Sequence, residues 1–257
     1  MELNLNFNKA IGYKNKSQIA RILTENWVLE NGYCPNCGNR LTKFPNNKPV
    51  ADFFCDNCNN QFELKSKNAK NIGNKVVDGT FKTMLSKIKL NENPNFFFLT
   101  YNRANLRIVN FLIIPDYFFV LDTIEERKPL TKNAKRKGWK GCYIILSKIP
   151  QSGRIFLVKS GEIIPKITVM EKWEKTKFLR NEKIGRKTWI LDIMNCVDSI
   201  KNPNFSLTDV YKFENILKKK HPKNKFIKDK IRQQLQLLRD KGFIEFLGKG
   251  QYRKVAI

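Results

Sequence analysis

The sequence has few acidic residues for its many basic ones, and it has no long apolar run. It contains 49 lysines and arginines against 23 aspartates and glutamates, a formal net charge of +26. Such an imbalance predicts a polyanionic partner, most simply nucleic acid, bound in a salt-dependent way. No apolar run reaches the roughly eighteen residues of a membrane span, and residues 1–16 lack the apolar segment of a signal peptide. We therefore expect a soluble, cytoplasmic protein without a membrane partner.

Four of the six cysteines form two Cys-x-x-Cys pairs, Cys34/Cys37 and Cys55/Cys58, with seventeen residues between the pairs. Zinc prefers four tetrahedral ligands, and two such turns facing each other supply four thiolates. The spacing also suits a zinc ribbon. The alternative is two reduced or disulfide-bonded pairs, but a disulfide framework does not suit a chain of this size without a secretory leader. The pairs therefore predict a structural Zn²⁺ site, since four thiolates leave no open position for catalysis.

Two further cysteines and one glutamate are interpreted as having no part in a functional site. Cys142 and Cys196 each stand alone among apolar residues, which favours buried, inert thiols. A helix is predicted over residues 16–31 from its apolar spacing, with Ser17 as its N-cap. Glu25 of this helix could contribute to a metal site, but we prefer to interpret it as a surface glutamate.

An acid-x-lysine triplet follows the second cysteine pair, in the segment QFELKS. In a strand the side chains alternate, so Glu63 and Lys65 share one face and Leu64 points to the other. Asp52 lies in a second apolar-flanked strand pattern, PVADFF. If these strands pair, Asp52 and Glu63 converge beside Lys65. Two carboxylates, the Leu64 carbonyl and water could hold Mg²⁺, and the lysine could orient an attacking water. Alternatively, the triplet is a solvated strand edge that arose by chance.

The placement of these residues favours the catalytic interpretation. Asp52 lies three residues before Cys55, and Glu63 lies five residues after Cys58. A zinc ion on this pair would hold both strands of an active-site hairpin in place, as a rigid support around reactive groups should.

At these residues the sequence resembles known nucleases. Asp52, Glu63 and Lys65 form the PD-(D/E)xK nuclease signature, with Ala51 where the motif usually has proline. With CPNCG, PVADFFC, FELKSK, NPNFFFLTY, GRIFLV and IRQQLQLLRDK, the chain resembles DpnI-type methyl-directed restriction endonucleases over nearly its whole length. The resemblance implies an α/β fold, with a PD-(D/E)xK mixed-sheet nuclease core and an inserted four-cysteine zinc site. It also implies cleavage of double-stranded DNA at GATC containing N6-methyladenine, in defence against methylated foreign DNA.

A dense basic run at residues 127–145 surrounds a single tryptophan. Lys135 and Arg136 can neutralise DNA backbone charge, and Trp139 is our candidate for sensing an apolar group on DNA. An adenine N6-methyl group presents a hydrophobic surface in the major groove, which is read by apolar contact. The alternative is a tryptophan that covers the core beside a solvated basic loop.

The last seventy or so residues predict a winged-helix domain, with a boundary near residue 183. We expect domains at residues 1–182 and 183–257. Two helices, the second with Ser206 as its cap, precede a clear helix whose core stripe is Ile227, Ile231, Leu235 and Leu238. The candidate DNA contacts of this domain are Lys225, Arg232, Gln233 and Gln236 on the exposed face and Lys249, Tyr252 and Arg253 on the wing. The alternative is a winged helix that binds protein.

Two other classes of protein fit the same residues. A zinc-ribbon and winged-helix transcription regulator would use the same charge without catalysis. A repair nuclease would share the active site but read distorted DNA. The favoured hypothesis is a monomeric, Mg²⁺-dependent, methylation-dependent restriction endonuclease.

Overall fold

The computed structural model describes residues 1–45 and 51–255, which divide into two compact units. The first unit is Met1–Lys148 with Gly153–Arg180, and the second is Ile149–Ser152 with Asn181–Ile257. None of the helices in the described ranges has the length and apolar character that a membrane span requires.

The first unit is built on a large mixed sheet. Its strands are β1 Thr42–Lys43, β2 Phe53–Phe54, β3 Gln61–Asn68, β5 Asn95–Asn102, β6 Arg107–Ile114, β9 Ile155–Lys159 and β10 Glu162–Ile163. Their order in the sheet is β1-β2-β3-β5-β6-β9-β10. Strands β3 and β5 run parallel, and the other neighbours are antiparallel.

A small sheet and three helices complete the first unit. The small sheet has the order β4-β8-β7, with β4 Lys75–Thr80, β7 Ile124–Glu126 and β8 Gly141–Ile145. The helices are α1 Lys16–Asn31, α2 Phe81–Leu90 and α3 Lys166–Thr176.

The core of the first unit forms where helices α1 and α3 cover the large sheet. Trp27 of α1 packs edge-on against Phe111 of β6 at 5.2 Å between ring centroids. Phe62 and Phe97 stack across the parallel β3–β5 pair at 4.9 Å. Trp173 of α3 is fully buried in the same cluster. Because β5 is buried at nearly every position, it shows the continuous apolar pattern of a strand covered on both faces.

The predicted bounds of the first helix are confirmed, and its predicted N-cap is wrong. Helix α1 has the predicted bounds, but Asn15 caps it, accepting hydrogen bonds from the backbone N–H groups of Ser17 and Gln18. Ser17 therefore lies inside the helix. Residues 75–80 form strand β4, which the sequence did not predict, because they pair with β8. Helix α3 was not predicted, since residues 166–187 show only a weak apolar pattern.

The second unit is a helical arrangement followed by a β-hairpin. Its elements are α4 Ile184–Ser199, β11 Asn204–Ser206, α5 Leu207–Tyr211, α6 Glu214–Lys220, α7 Ile227–Asp240, β12 Ile244–Gly248 and β13 Gln251–Lys254. The strands form a sheet of order β11-β13-β12. Together with the mixed sheet of the first unit, this arrangement confirms the predicted fold class.

The predicted core stripe of α7 is confirmed, since Ile227, Ile231, Leu235 and Leu238 are all buried. Ser206 caps the preceding helical segment through a reciprocal capping box with Asp209. This segment, predicted as one helix, is divided into α5 and α6. Strand β11, which pairs with β13, was not predicted.

Candidate active site, metal centre and nucleic-acid surface

The two cysteine pairs form two turns with the same backbone pattern. In the first turn, the Cys34 carbonyl accepts from the Gly38 N–H at 2.7 Å, and the Cys34 N–H donates to the Asn39 carbonyl at 2.8 Å. In the second turn, Cys55 makes the corresponding bonds with Asn59 at 2.8 Å and Asn60 at 3.0 Å. Gly38 and Asn59, at matching positions, both have positive φ, which glycine and asparagine tolerate best.

These turns bring four sulfur atoms together. The sulfur atoms of Cys34, Cys37, Cys55 and Cys58 all lie within 4.8 Å of one another, and none of the cysteines is in a disulfide. Zn–S bonds of about 2.3 Å place tetrahedral sulfur atoms about 3.8 Å apart. The four cysteines thus form a cluster with the spacing of a tetrathiolate zinc site, and none of them is joined to another by a disulfide in this structure.

The surroundings of the cluster favour thiolate at Cys58. The Asn60 side chain donates to the Cys58 sulfur at 3.0 Å. Burial opposes charge at this sulfur, but hydrogen bonds from Asn60, Asn36 and Cys34 outweigh burial and lower the pKa of Cys58 to about 6. Trp173 donates to the Asn36 side chain at 3.2 Å. The cluster is therefore supported by neighbouring polar groups, as metal sites usually are.

Strands β2 and β3 flank the second cysteine turn and hold Asp52 against the β3 backbone. Asp52 lies just before β2, where its N–H donates to the Phe62 carbonyl at 2.9 Å. Its carboxylate Oδ2 accepts from the Leu64 N–H at 2.7 Å. In a strand, the N–H and carbonyl of one residue point to the same edge. The Leu64 carbonyl therefore points to the edge where Asp52 lies.

Glu63 and Lys65 share one face of β3, as predicted from the alternation. The Lys65 Nζ lies 2.5 Å from Glu63 Oε1 and also 2.5 Å from Asp78 Oδ1 of β4. Burial opposes the charge of this ammonium group, but the Glu63 and Asp78 carboxylates outweigh burial and raise the pKa of Lys65. The lysine is therefore a charged group held between two acids.

The electrostatics around Asp52 and Glu63 are those of a cation-binding site. Burial raises the pKa of both carboxyl groups, and each carboxylate interacts with further acids: Asp52 with Glu25, and Glu63 with Asp78 and Asp52. Neighbouring carboxylates in a partly desolvated site repel one another unless a cation or proton intervenes. Hard divalent cations prefer such oxygen ligands. The donor set of Asp52, Glu63 and the Leu64 carbonyl thus fits Mg²⁺.

Glu25 corrects one interpretation from the sequence. It is buried, with 6% of its surface exposed, and not a surface residue. Lys43 contacts its carboxylate at 2.8 Å and Arg21 at 3.6 Å. Because Glu25 also raises the pKa of Asp52, it belongs to the electrostatic environment of the site. The periodicity of α1 gave no signal for this, since Lys43, which contacts the carboxylate, comes later in the chain.

The basic loop connects β7 to β8 of the small sheet. Lys135 and Arg136 are exposed, and Trp139 is half-buried. The indole Nε1 donates to the Thr80 hydroxyl at 3.2 Å, and the Arg136 guanidinium lies 5.5 Å from the centre of the ring. A Cβ on Gly141 would lie only 2.7 Å from the ring. The indole is therefore packed against the backbone at Gly141.

In the second unit, the candidate contacts on and before α7 are all exposed: Lys225, Arg232, Gln233 and Gln236. Arg232 donates to the Tyr211 hydroxyl at 2.6 Å, and Gln233 accepts from Lys230 at 2.6 Å. The predicted exposed face is thus present, and two of its side chains already have polar partners within the unit.

The wing residues differ in exposure. Lys249 lies in the Gly-Lys-Gly turn with positive φ and is exposed, as is Arg253. Tyr252 is half-buried, and its ring stacks on Phe205 at 5.5 Å and packs against Phe246 at 5.2 Å. Tyr252 thus contributes to packing of the wing sheet, a role that the sequence prediction lacked.

Sequence reasoning missed Asp78 and Thr80 of β4. The signal for Asp78 was a lone acid in the apolar segment VVDGT.

The two remaining cysteines are buried as predicted, and burial raises the pKa of Cys142 and Cys196 to about 12.

The first unit combines a mixed sheet with a four-cysteine cluster and a paired acid-lysine site, and the second unit is helical and ends in a wing. Together they define a two-unit α/β protein. A family model described as DpnI, Dam-replacing family, matches residues 1–182. A second model, described as DpnI_C, Dam-replacing HTH domain, matches residues 185–254. The chain belongs to the DpnI, Dam-replacing family. Membership implies a nuclease that acts on DNA, and the helix-turn-helix domain indicates DNA binding.

Proposed function

We propose that this protein is a type II restriction endonuclease that cuts double-stranded DNA at adenine-methylated GATC, in the cytoplasm, against methylated foreign DNA. Residues 1–182 form the nuclease domain, and residues 183–257 form the winged-helix domain. The observation that supports this best is the arrangement around Leu64 of β3: its N–H donates to the Asp52 carboxylate, and its neighbours Glu63 and Lys65 form an ion pair. The second cysteine turn lies between Asp52 and Glu63 in the chain. Family membership supports the restriction activity.

Asp52, Glu63 and the Leu64 carbonyl would hold Mg²⁺ in the active site. Asp52 uses Oδ2 for the Leu64 N–H, so its other carboxylate oxygen remains for the cation. When bound, the ion would neutralise charge that develops on the phosphate and favour deprotonation of the attacking water. The raised pKa values of Asp52 and Glu63 support this assignment, since groups tuned in this way cluster at functional sites.

Lys65 would orient the water that attacks phosphorus. Its ammonium group donates hydrogen bonds and does not accept them, so it can hold a water oxygen or a phosphate oxygen. The water oxygen bonds to phosphorus and gives up a proton to solvent, while the bond to the leaving oxygen on the opposite side breaks and that oxygen takes up a proton from solvent. The lysine lies on the same face of β3 as Glu63, close to the proposed cation site.

The four cysteines would bind Zn²⁺ for a structural purpose. The second cysteine turn connects β2 to β3; Asp52 lies just before β2, and Glu63 is the third residue of β3. Zinc on Cys55 and Cys58 would fix this connection, and through it the separation of the two acids.

Two surfaces would bind DNA with N6-methyladenine. In the nuclease domain, Lys135 and Arg136 would contact backbone phosphates, and Trp139 would contact the methyl group. In the winged helix, backbone and base contacts would come from Lys225, Arg232, Gln233, Gln236, Lys249, Tyr252 and Arg253. The net charge of +26 supports strong, salt-dependent association. We propose that the protein acts as a monomer.

Digestion of one plasmid, prepared with and without adenine methylation, tests the proposed function. Zinc-loaded protein is added with Mg²⁺ or in buffer without divalent ions, because strong chelators would also remove zinc. We expect fragments from the methylated plasmid with Mg²⁺ only. Equal cutting of both plasmids would contradict methylation dependence. No cutting of either plasmid, by protein that binds DNA, would favour a non-catalytic regulator.

A further inference from the structure

Lys65 is held by two carboxylates that come from different sheets. Glu63 lies two residues away on β3 of the large sheet, and Asp78 lies on β4 of the small sheet; each oxygen is 2.5 Å from the lysine Nζ. A lysine side chain is flexible and would otherwise sample many rotamers. Contacts from two directions fix the ammonium group in space, which a single partner on the same strand cannot do.

Asp78 is buried against this lysine. Its side chain is 6% exposed, and Lys65 is the cation that its carboxylate contacts in the part of the chain that the structure describes. A buried carboxylate costs free energy unless it is paired. The strand also shifts register between Asp78 and Thr80 where β4 pairs with β8. Such bulges re-aim side chains and are frequent beside active sites.

We propose that Asp78 is a positioning residue for the hydrolysis reaction, one that holds Lys65 beside the attacking water when Glu63 binds the divalent ion. The inference rests on the proposed function. Glu63 has two competing partners, since the same carboxylate would bind both the ion and the ammonium group. Like charges repel, so an ion at Glu63 pushes Lys65 away. Asp78, on the second sheet, keeps an attractive charge on the other side of the lysine.

Strand β4, which carries Asp78, also contacts the basic loop that carries Trp139. Thr80, two residues after Asp78, accepts the hydrogen bond from Trp139 Nε1 at 3.2 Å. Strand β4 thus holds both the lysine proposed for water positioning and the tryptophan proposed for methyl recognition. Displacement of this strand would therefore move both the lysine and the tryptophan.

The test compares Asp78→Asn, Asp78→Glu and wild-type protein by single-turnover cleavage of a methylated duplex at saturating protein with Mg²⁺. DNA affinity is measured separately without divalent ions. Asp78→Asn removes the charge at nearly constant shape, and misplacement of a reacting group costs on the order of tenfold to a hundredfold in rate. We expect a rate loss in that range, DNA affinity within about twofold of wild type, and partial recovery of the rate in Asp78→Glu.

Glu125→Gln is the matched control. It removes the exposed Lys75–Glu125 ion pair at 3.0 Å on the same small sheet, without contact to Lys65, and should cut at the wild-type rate. If Asp78→Asn does not fold, Asp78→Ser takes its place, since the smaller side chain leaves room for water. The proposal is overturned if the folded variant cuts at the wild-type rate, or if its rate falls only in proportion to DNA affinity. Failure of the wild-type protein to cut any DNA would instead overturn the proposed function.

Discussion

The carboxylate of Asp52 accepts a hydrogen bond from the backbone N–H of Leu64 at 2.7 Å. This bond ties the start of β2 to the strand that carries Glu63 and Lys65. One residue thus closes the hairpin around the cysteine turn and also presents its second carboxylate oxygen to the proposed cation site. The structural and catalytic roles of Asp52 can be separated, because an amide oxygen can accept the same N–H without supplying negative charge.

Replacing Asp52 with Asn should abolish cleavage while the fold is kept. The amide oxygen can still accept from the Leu64 N–H, but a charged ligand for Mg²⁺ is lost. We expect the single-turnover rate on methylated DNA to fall by at least about a hundredfold, with DNA affinity little changed. Glu162→Gln, at an exposed position of β10, is the control and should cut normally. Retained cleavage in Asp52→Asn would remove this residue from the site.

Replacing Cys55 with Ser should unfold the first unit. The thiolate cluster is expected to bind one zinc ion per chain, and zinc binding free energy at such sites is folding free energy. We expect loss of bound zinc, measured by elemental analysis, and loss of the cooperative thermal transition of this unit. Cys196→Ala removes a buried thiol outside the cluster and should keep full zinc content. A stable, active Cys55→Ser protein would contradict the zinc assignment.

Local pattern predicted the elements that depend on nearby residues. Helix α1, the core stripe of α7 and the acid-lysine face of β3 follow from periodicity within a few turns or residues. Strand β4 could not be predicted in this way, because Val76 and Val77 suit either a helix or a strand. They form a strand because they pair with Ile144 and Tyr143, more than sixty residues later in the chain.

In the candidate site, too, some residues could be predicted from local sequence and others could not. Asp52, Glu63, Lys65 and the four cysteines could be proposed from spacing alone, since short hairpins and turns bring them together. Asp78 and Glu25 could not, because each is placed by a helix or strand that packs from another part of the chain. Each of them contacts a lysine, Lys65 for Asp78 and Lys43 for Glu25.

Replacing Trp139 with Ala should reduce the preference for methylated DNA. The indole is held between the Thr80 hydroxyl and the backbone at Gly141, where it can offer an apolar surface to a methyl group. We expect the ratio of single-turnover rates, methylated over unmethylated, to fall by about tenfold. Gly141→Ala should act in the same direction, because the added Cβ would lie 2.7 Å from the ring and displace it.

The variant Lys135→Gln is the control for Trp139→Ala, because it should change DNA affinity without changing the preference for methylated DNA. A phosphate contact carries no information about methylation, so its loss should weaken binding to both duplexes equally and reduce the slope of log affinity against log salt by about 1. Binding titrations at several salt concentrations measure this slope. An unchanged methylation ratio in Trp139→Ala would show instead that this ring covers the core and does not read the base.

The acidic site should make the magnesium-free protein less stable as pH rises. Burial raises the pKa of Asp52 and Glu63, so the folded state holds protons at pH values where the unfolded carboxyl groups, with pKa values near 4, have lost them. Because the folded state binds more protons, the free energy of unfolding falls as pH rises through the raised pKa values. Removing one acid should therefore stabilise the first unit at neutral pH.

Thermal unfolding of zinc-loaded, magnesium-free protein between pH 6 and 8 tests this expectation, since thiolates still hold zinc in this range. Asp52→Asn should unfold about 2–4 °C above wild type, a shift typical of a small change in stability for a domain of this size. Added Mg²⁺ should raise the unfolding temperature of wild type, because a ligand of the folded state stabilises it, and should have little effect on Asp52→Asn. A variant that unfolds below wild type without Mg²⁺ would mean that Asp52 stabilises the hairpin more through its charge than the neighbouring acids destabilise it.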